Sequence, residues 1–338
     1  MLSAARGVMT PQCAGYGKAR VPLTCGEFVQ GNLAGLDFLV SCPVDLFSWA
    51  EVWLEGLEKA DPGPEIRVLP PEPSGGAIKA ARALELALKE LGCNGRRAWL
   101  KISRSLPPGK GFGSSTADIA AASFAAARAL GREITPQQVA RIALSIEATD
   151  GTMFPGLTLF DHRMGRIARP LGPPPTMRVR ILDLGGEVDT GGFNRRADLA
   201  ALNARKEPRV REALQKVVLG IRRGDPWLLG EGATGSAVAH QSILPKEGLE
   251  EIAAVARRSG AYGVVAAHSG TLVGILLPPE EGVKSRVEES LSSLGYLRPA
   301  LGHLRPAGLA AVVGGGVIPD EPAEGRDGEG AANEWREA

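Results

Sequence analysis

The stretch SLPPGKGFGSSTADIA, residues 105–120, limits what this chain can fold into more than any other. Gly109, Gly111 and Gly113 alternate with other residues, and a backbone without Cβ atoms bends sharply and leaves its N–H groups uncovered. AWLKISR (98–104) reads as a strand entering this loop, and SSTADIAAASFAAARAL (114–130) as an alanine-rich helix leaving it and stopping at Gly131. The loop is therefore a strand-to-helix turn. The first turn of a helix carries unpaired N–H groups at the positive end of the dipole, Ser114, Ser115 and Thr116 add hydroxyls, and Lys110 adds a mobile cation. Such donors suit a phosphate group.

The same glycines also fit a plain turn that caps the helix, with Ser114 as N-cap. Two standard nucleotide loops are excluded. A Walker A loop ends in Gly-Lys-Ser/Thr, whereas Lys110 lies among the glycines and GSS follows. A dinucleotide fingerprint needs a third glycine where Ser114 stands, then a return strand, whereas two helical patterns follow in succession.

With 39 Lys and Arg against 38 Asp and Glu in 338 residues, the chain lacks the field of a non-specific nucleic-acid binder. Cys13, Cys25, Cys42 and Cys93 form no CxxC pair and are too few to staple a chain this long, which argues against a disulfide scaffold or a zinc site. No apolar run reaches the roughly 18 residues of a membrane span, and MLSAARGVMTPQ lacks a signal peptide's apolar stretch. A cytoplasmic protein with small-molecule partners, and neither nucleic acid nor membrane, is expected. Its oligomeric state stays open, a homodimer included.

Short apolar segments at Val21–Val29, Phe38–Val44 and Phe47–Leu54 predict an early β-rich region. Residues 75–91 then place Ile78, Ala81, Leu84, Leu88 and Leu91 on one helical face ended by Gly92, and a helix over 135–148 has Thr135 as N-cap and Pro136 at N1. After the proline-rich LGPPPT (171–176), MRVRILDL (177–184) opens a second half. Helical patterns follow at 207–223, 225–243 and 247–258, then strands in GVVAAH and LVGILL, a helix near 280–293 and a last strand near 308–313. Mixed elements in both halves predict an α+β protein of two domains. The segment after residue 318, with Trp335 its one aromatic, reads as disordered.

PPGKGFGSSTA resembles the P-x-x-x-G-L-G-S-S-A motif of the GHMP kinases, with Phe112 in place of the usual leucine. RVPLTCGEFVQG (20–31) resembles the family's N-terminal substrate-side motif, and AAHSGTLVG (266–274) its late glycine turn. IEATDGTMFPGLTLFDHRMG, EVDTGGFNR (187–195) and ATGSAVAHQSILPK (233–246) look most like the members that phosphorylate free L-threonine for cobalamin synthesis. The resemblance implies a flexible N-terminus (1–15), a ribosomal-protein-S5-like ATP-binding domain (16–172), a ferredoxin-like domain (173–318) and a tail (319–338). It implies ATP and Mg2+ as cofactors and L-threonine as acceptor. Homoserine kinase, or a nucleotide-binding regulator without catalysis, stays open.

The implied phosphate-binding residues are Pro108, Gly109, Lys110, Gly111, Phe112, Gly113, Ser114, Ser115 and Thr116, and the implied magnesium ligands are Glu147 with Ser114 or Ser115. A solvated helix-end glutamate is the plainer reading of Glu147. Asp150 is the nearest acid to act as general base or ammonium ligand, and it equally suits a turn cap before Gly151. Glu27, Asp45, Arg20, His268, Ser269 and Gly270 are substrate-side candidates by family position or charge. Asp161 and His162 read as a hairpin turn rather than an acid–base pair, His268 as readily as a satisfied loop histidine, and Cys25 as a buried thiol.

Overall fold

The computed structural model describes residues 13–55, 65–69, 75–93, 97–105, 111–185, 196–294 and 305–317. The expected tail and most of the expected N-terminal segment lie outside these.

The early β-rich region is one long hairpin, β1 (Cys13–Leu33) against β2 (Leu36–Glu55), rather than three strands. Register shifts at Pro22/Leu23 and between Thr24 and Val29 interrupt its alternation, so a continuous ribbon reads in sequence as separate pieces. The later strands are β3 (Ile66–Leu69), β4 (Ala98–Arg104), β5 (Leu157–Phe160), β6 (Ala168–Gly172), β7 (Arg178–Asp183), β8 (Gly263–Ala266), β9 (Leu272–Leu277) and β10 (Arg305–Ala311). Among the described residues they form one sheet in the order β10-β7-β9-β8-β1-β2-β4-β3, with the β5–β6 hairpin attached to β2. The pairs are antiparallel except β3–β4. The hairpin β5–β6 reaches into the segment whose prolines suggested a bare connection.

Helices α1 (Gly75–Glu90), α2 (Ser114–Ala129) and α3 (Pro136–Ile146) pack together, α2 lying on β1 and β2. Helix α3 starts as expected: Thr135 accepts the Gln138 N–H, and Gln138 Oε1 returns to the Thr135 N–H at 2.9 Å, a complete capping box. Helix α2 is buried on nearly every side, and its alanines let it lie directly on the sheet. A Cβ at Gly15 or Gly17 of β1 would overlap the α2 carbonyls of Ala129 and Ala125. The face expected for α1 is corrected, since Ile78 is 70% exposed. The buried positions are Ala77, Ala80, Ala83, Leu84, Ala87 and Leu88, because α1 meets the narrow, alanine-rich α2.

Helices α4 (Leu199–Arg223) and α5 (Pro226–His240) pair with each other and against β1, while α6 (Leu249–Ser259) and α7 (Glu281–Ser293) pair with each other and α6 meets β8 and β9. Helix α4 begins earlier than its pattern suggested. Pro208 lies inside it, although an interior proline forfeits a backbone hydrogen bond and normally marks a helix start.

Candidate active site

The loop before α2 sits where three distant parts of the chain meet. Phe112 is buried, and its carbonyl accepts the Thr24 N–H at 2.8 Å, which ties the loop to β1. Gly111 has φ +94°, and a Cβ there would stand 2.8 Å from Gly270 Cα in the β8–β9 turn. Gly113, the N-cap of α2, has φ +62°; a Cβ there would overlap Asp150 Oδ2 and approach Thr24 Oγ1 at 2.8 Å. Both glycines combine a backbone that favours glycine with a contact that only glycine permits. No side chain caps α2, and its first turn holds no acidic residue, so the helix end keeps its donors and its positive field. Gly113, not Ser114, is the N-cap. Pro108, Gly109 and Lys110 lie outside the described residues.

Glu147 closes α3 and reaches back to this loop. Its main chain turns extended at φ −161°, and its N–H still bonds Ala143 O at 2.9 Å. Ser115 Oγ donates to Glu147 Oε1, while Lys79 Nζ of α1 pairs with Oε2 at 2.6 Å. Thr116 faces inward instead: its Oγ1 accepts from Thr149 Oγ1 at 2.9 Å and from the Asp150 N–H at 3.1 Å. The Ser115 hydroxyl and Glu147 carboxylate form a hard-oxygen pair of the kind that holds Mg2+ beside a polyphosphate, with Lys79 compensating the carboxylate. Ser114 is buried, and no bond joins it to Glu147. Lys79 was missed by sequence reading. Nothing in the pattern of α1 itself directs this lysine to the end of α3.

Beyond Asp150 the polar groups continue inward. Burial, with the nearby Glu147 charge, pushes Asp150 up to about 6. Glu27 is the strand partner of Ala266 where β1 meets β8, and burial followed by the Asp150 charge lifts its carboxyl well above the usual range. The Lys246 charge and the His268 N–H, which Glu27 accepts, act in the opposite direction. Burial lowers Lys246 and Lys206 each to about 8. Gln30 Nε2 donates to Ala266 O at 3.1 Å, so its Oε1, 2.6 Å from His268 Nδ1, accepts from that ring nitrogen. His240 Nε2 donates to His268 O at 2.9 Å, which leaves His240 Nδ1 to accept from Lys206 Nζ at 3.1 Å. Burial first, and the surrounding lysines next, keep His240 neutral.

His162 departs furthest from expectation. Asp161 does form the turn, its carboxylate accepting the Arg163 and Met164 N–H groups at 3.2 and 3.0 Å. The neighbouring imidazole packs edge-on against His268 at 5.1 Å between ring centres. His162, His240 and His268 border a small, partly open recess with Asp37, Arg163 and Asn203. Cys25 is buried, and burial holds its thiol protonated.

Of the remaining candidates, Gly270 and Ser269 belong to the β8–β9 turn against the loop. Arg20 lies over the Phe47 ring at 4.9 Å. Asp45 is exposed and accepts the Ala311 N–H at 2.8 Å, an anchor for β10. Residues 187–195 lie outside the described residues.

Residues 77–156 match the model of the GHMP kinases N terminal domain. The chain is 33% identical over 259 residues to an L-threonine kinase of Citrobacter freundii, covering 77% of this chain and 85% of that one. It is 32% identical over 299 residues to an L-threonine kinase of Salmonella typhimurium, covering 88% and 94%. Among solved structures, a homoserine kinase from Cytophaga hutchinsonii superposes with a TM-score of 0.65 at 16% identity, over 94% of this chain and all of that one. Its fold is thus that of these kinases, and the segment read as the family's glycine loop meets the one read as its N-terminal motif at Thr24 and the one read as its late glycine turn at Gly270. The chain belongs to the GHMP kinases.

Proposed function

We propose that this chain transfers the γ-phosphoryl group of ATP to the side-chain hydroxyl of free L-threonine, giving O-phospho-L-threonine and ADP. The observation that carries the reading is the convergence of the glycine loop, the Ser115–Glu147 pair and the Asp150 carboxyl at the open end of α2. The identity to two L-threonine kinases over most of their length supports the choice of acceptor. We place the nucleotide where segments 16–172 and 173–318 meet at the loop, with Gly111 against Gly270.

Phosphoryl transfer is mostly positioning and charge neutralisation. The α2 N–H groups and the loop main chain would cradle the triphosphate, and Ser115 and Glu147 would hold Mg2+. When bound, that ion neutralises charge on the phosphate oxygens. Asp150, with its raised pKa, is ionised at neutral pH and still basic enough to take the hydroxyl proton as the new bond forms. Glu27, buried within the field of Asp150, would face the substrate ammonium.

Purified protein with Mg-ATP and a panel of L-threonine, L-serine, L-homoserine and mevalonate tests the proposal by ADP release. Threonine is expected to give the highest kcat/KM. ADP release with another member of the panel and none with threonine would refute the acceptor assignment.

A further inference from the structure

Lys246 stands in the connection between α5 and α6, 6% exposed, and its Nζ has no hydrogen-bond partner. Its main chain is fixed from both sides by one side chain: Gln241 Oε1 accepts the Lys246 N–H at 2.7 Å, and Gln241 Nε2 donates to the Lys246 carbonyl at 3.0 Å. Glu27 Oε2, close enough for its charge to act on Lys246, is likewise without a partner. Each feels the other's charge, yet no hydrogen bond joins them. The other buried lysine, Lys206, spends its Nζ on His240.

A buried ammonium without a partner is among the costliest groups a fold can keep, and so is a buried carboxyl with one oxygen unmet. The natural guest for such a separated pair is a molecule with both charges on one carbon. An α-amino acid is that molecule.

We infer that Lys246 anchors the α-carboxylate of the acceptor amino acid while Glu27 meets its ammonium. The inference rests on the proposed amino-acid kinase activity. The zwitterion then bridges Glu27 and Lys246, and the side-chain hydroxyl is left to point toward Asp150 and the phosphate loop. Acceptors lacking the carboxylate are rejected because they leave Lys246 unpaired. The recognition is electrostatic, and it selects amino acids as a class before side-chain shape selects among them.

The experiment compares L-threonine with L-threoninamide, of the same shape but without the negative charge, in the parent protein and in Lys246→Met and Lys246→Arg. The parent is expected to prefer the acid by about 100-fold in kcat/KM, as for a charge-assisted hydrogen bond in a dry site. In K246M that preference falls to within about 3-fold, through a rise in KM for threonine with KM for ATP unchanged; K246R keeps most of it. Should K246M fail to fold, K246Q reports the same ratio. A K246M protein that loses equally on acid and amide, or whose loss appears in KM for ATP, overturns the inference. So does a parent indifferent to amidation. If the parent turns over homoserine or serine rather than threonine, the acceptor assignment fails alone, and the acid-to-amide ratio measured on that substrate still decides the role of Lys246.

Discussion

The two halves of the site are built on opposite terms. On the phosphate side, the side chains are held by one another while the α2 N–H donors stay open: Ser115 bonds Glu147, Lys79 neutralises Glu147, and Thr116 is held by Thr149 and Asp150. On the acceptor side, Glu27 Oε2, His162 Nδ1 and Lys246 Nζ are buried with no hydrogen-bond partner. Buried charged groups are nearly always paired, so the open Glu27 and Lys246 atoms leave positions that a charged ligand can fill. The phosphate side is preorganised before its ligand arrives, which favours catalysis by positioning. The acceptor side holds unmet charge, which favours discrimination. Asp150 touches both, its N–H bonded to Thr116 and its carboxyl beside Gly113 and within the field of Glu27.

The largest expected effect breaks the preorganised half. Glu147→Ala removes the carboxylate that Ser115 and Lys79 share, and kcat should fall on the order of 1000-fold, as when a fixed electrostatic group is removed. Half-saturating Mg2+ should rise and KM for threonine hold, which steady-state kinetics with a metal titration would check.

Asp150→Asn should cost about 100-fold in kcat/KM, the lower range for a general base. In the parent, kcat/KM should climb with pH through about 6 as Asp150 ionises, and the variant should lack that step. The stability consequence has the opposite sign. The folded-state pKa of about 6 lies above the ordinary value of 3.8, so between these pH values the folded chain holds a proton that the unfolded chain releases. Stability from this group is therefore present below about pH 4 and lost as pH rises toward 6. At pH 8 the Asn variant should be more stable than the parent by about 1 to 3 kcal/mol, the gap closing in acid, as thermal melts across pH would show. A variant equally active and equally stable would make Asp150 a plain turn residue.

The same contrast explains what was legible in the sequence. The phosphate side is local: Gly111, Gly113 and Ser115 lie within five residues of one another, and the glycines are required by left-handed backbone angles and close contacts. Glu147 was within reach because it ends the next helix. On the acceptor side Glu27 and His268 were named from the motifs they stand in, but Lys206 on α4, His240 on α5 and Lys246 beyond it were not, because they reach that place only through sheet order and helix packing. Periodicity encodes which face is buried and says nothing of which distant lysine the fold will bury beside it. Asp45 shows the converse: a carboxylate near the motif in sequence that the long β2 strand carries to β10. Ile78 shows that an apolar residue at helical spacing need not be core when the partner helix is narrow.

Gly113→Ala tests whether the two halves are joined as closely as Asp150 implies. A left-handed φ of +62° and the overlap with Asp150 Oδ2 should destabilise the fold by about 2 kcal/mol, measured by denaturant titration. Because the displaced group belongs to both sides, KM for ATP and for threonine should rise together, each about 10-fold for a misplacement of this kind. A rise confined to ATP would separate the halves.

The smallest effect concerns Lys79→Met. The Lys79 side chain is 40% exposed and that of Glu147 25%, so the ion pair contributes little to folding, about 0 to 1 kcal/mol. Its consequence lies in competition. Lys79 Nζ sits on the carboxylate oxygen that a divalent ion would use, and the ion must displace or outweigh it. Freed of that competitor, Glu147 should take Mg2+ more readily, and half-saturating Mg2+ in the ADP-release assay should fall by about 3-fold, a shift of the size an exposed ion pair can supply. The alternative outcome is equally informative: if half-saturating Mg2+ is unchanged while KM for ATP rises, Lys79 leaves Glu147 when the nucleotide binds and turns to the phosphates. The preorganised half would then contain a moving part, and the contrast between a finished phosphate side and an unfinished acceptor side would have to be redrawn around α1.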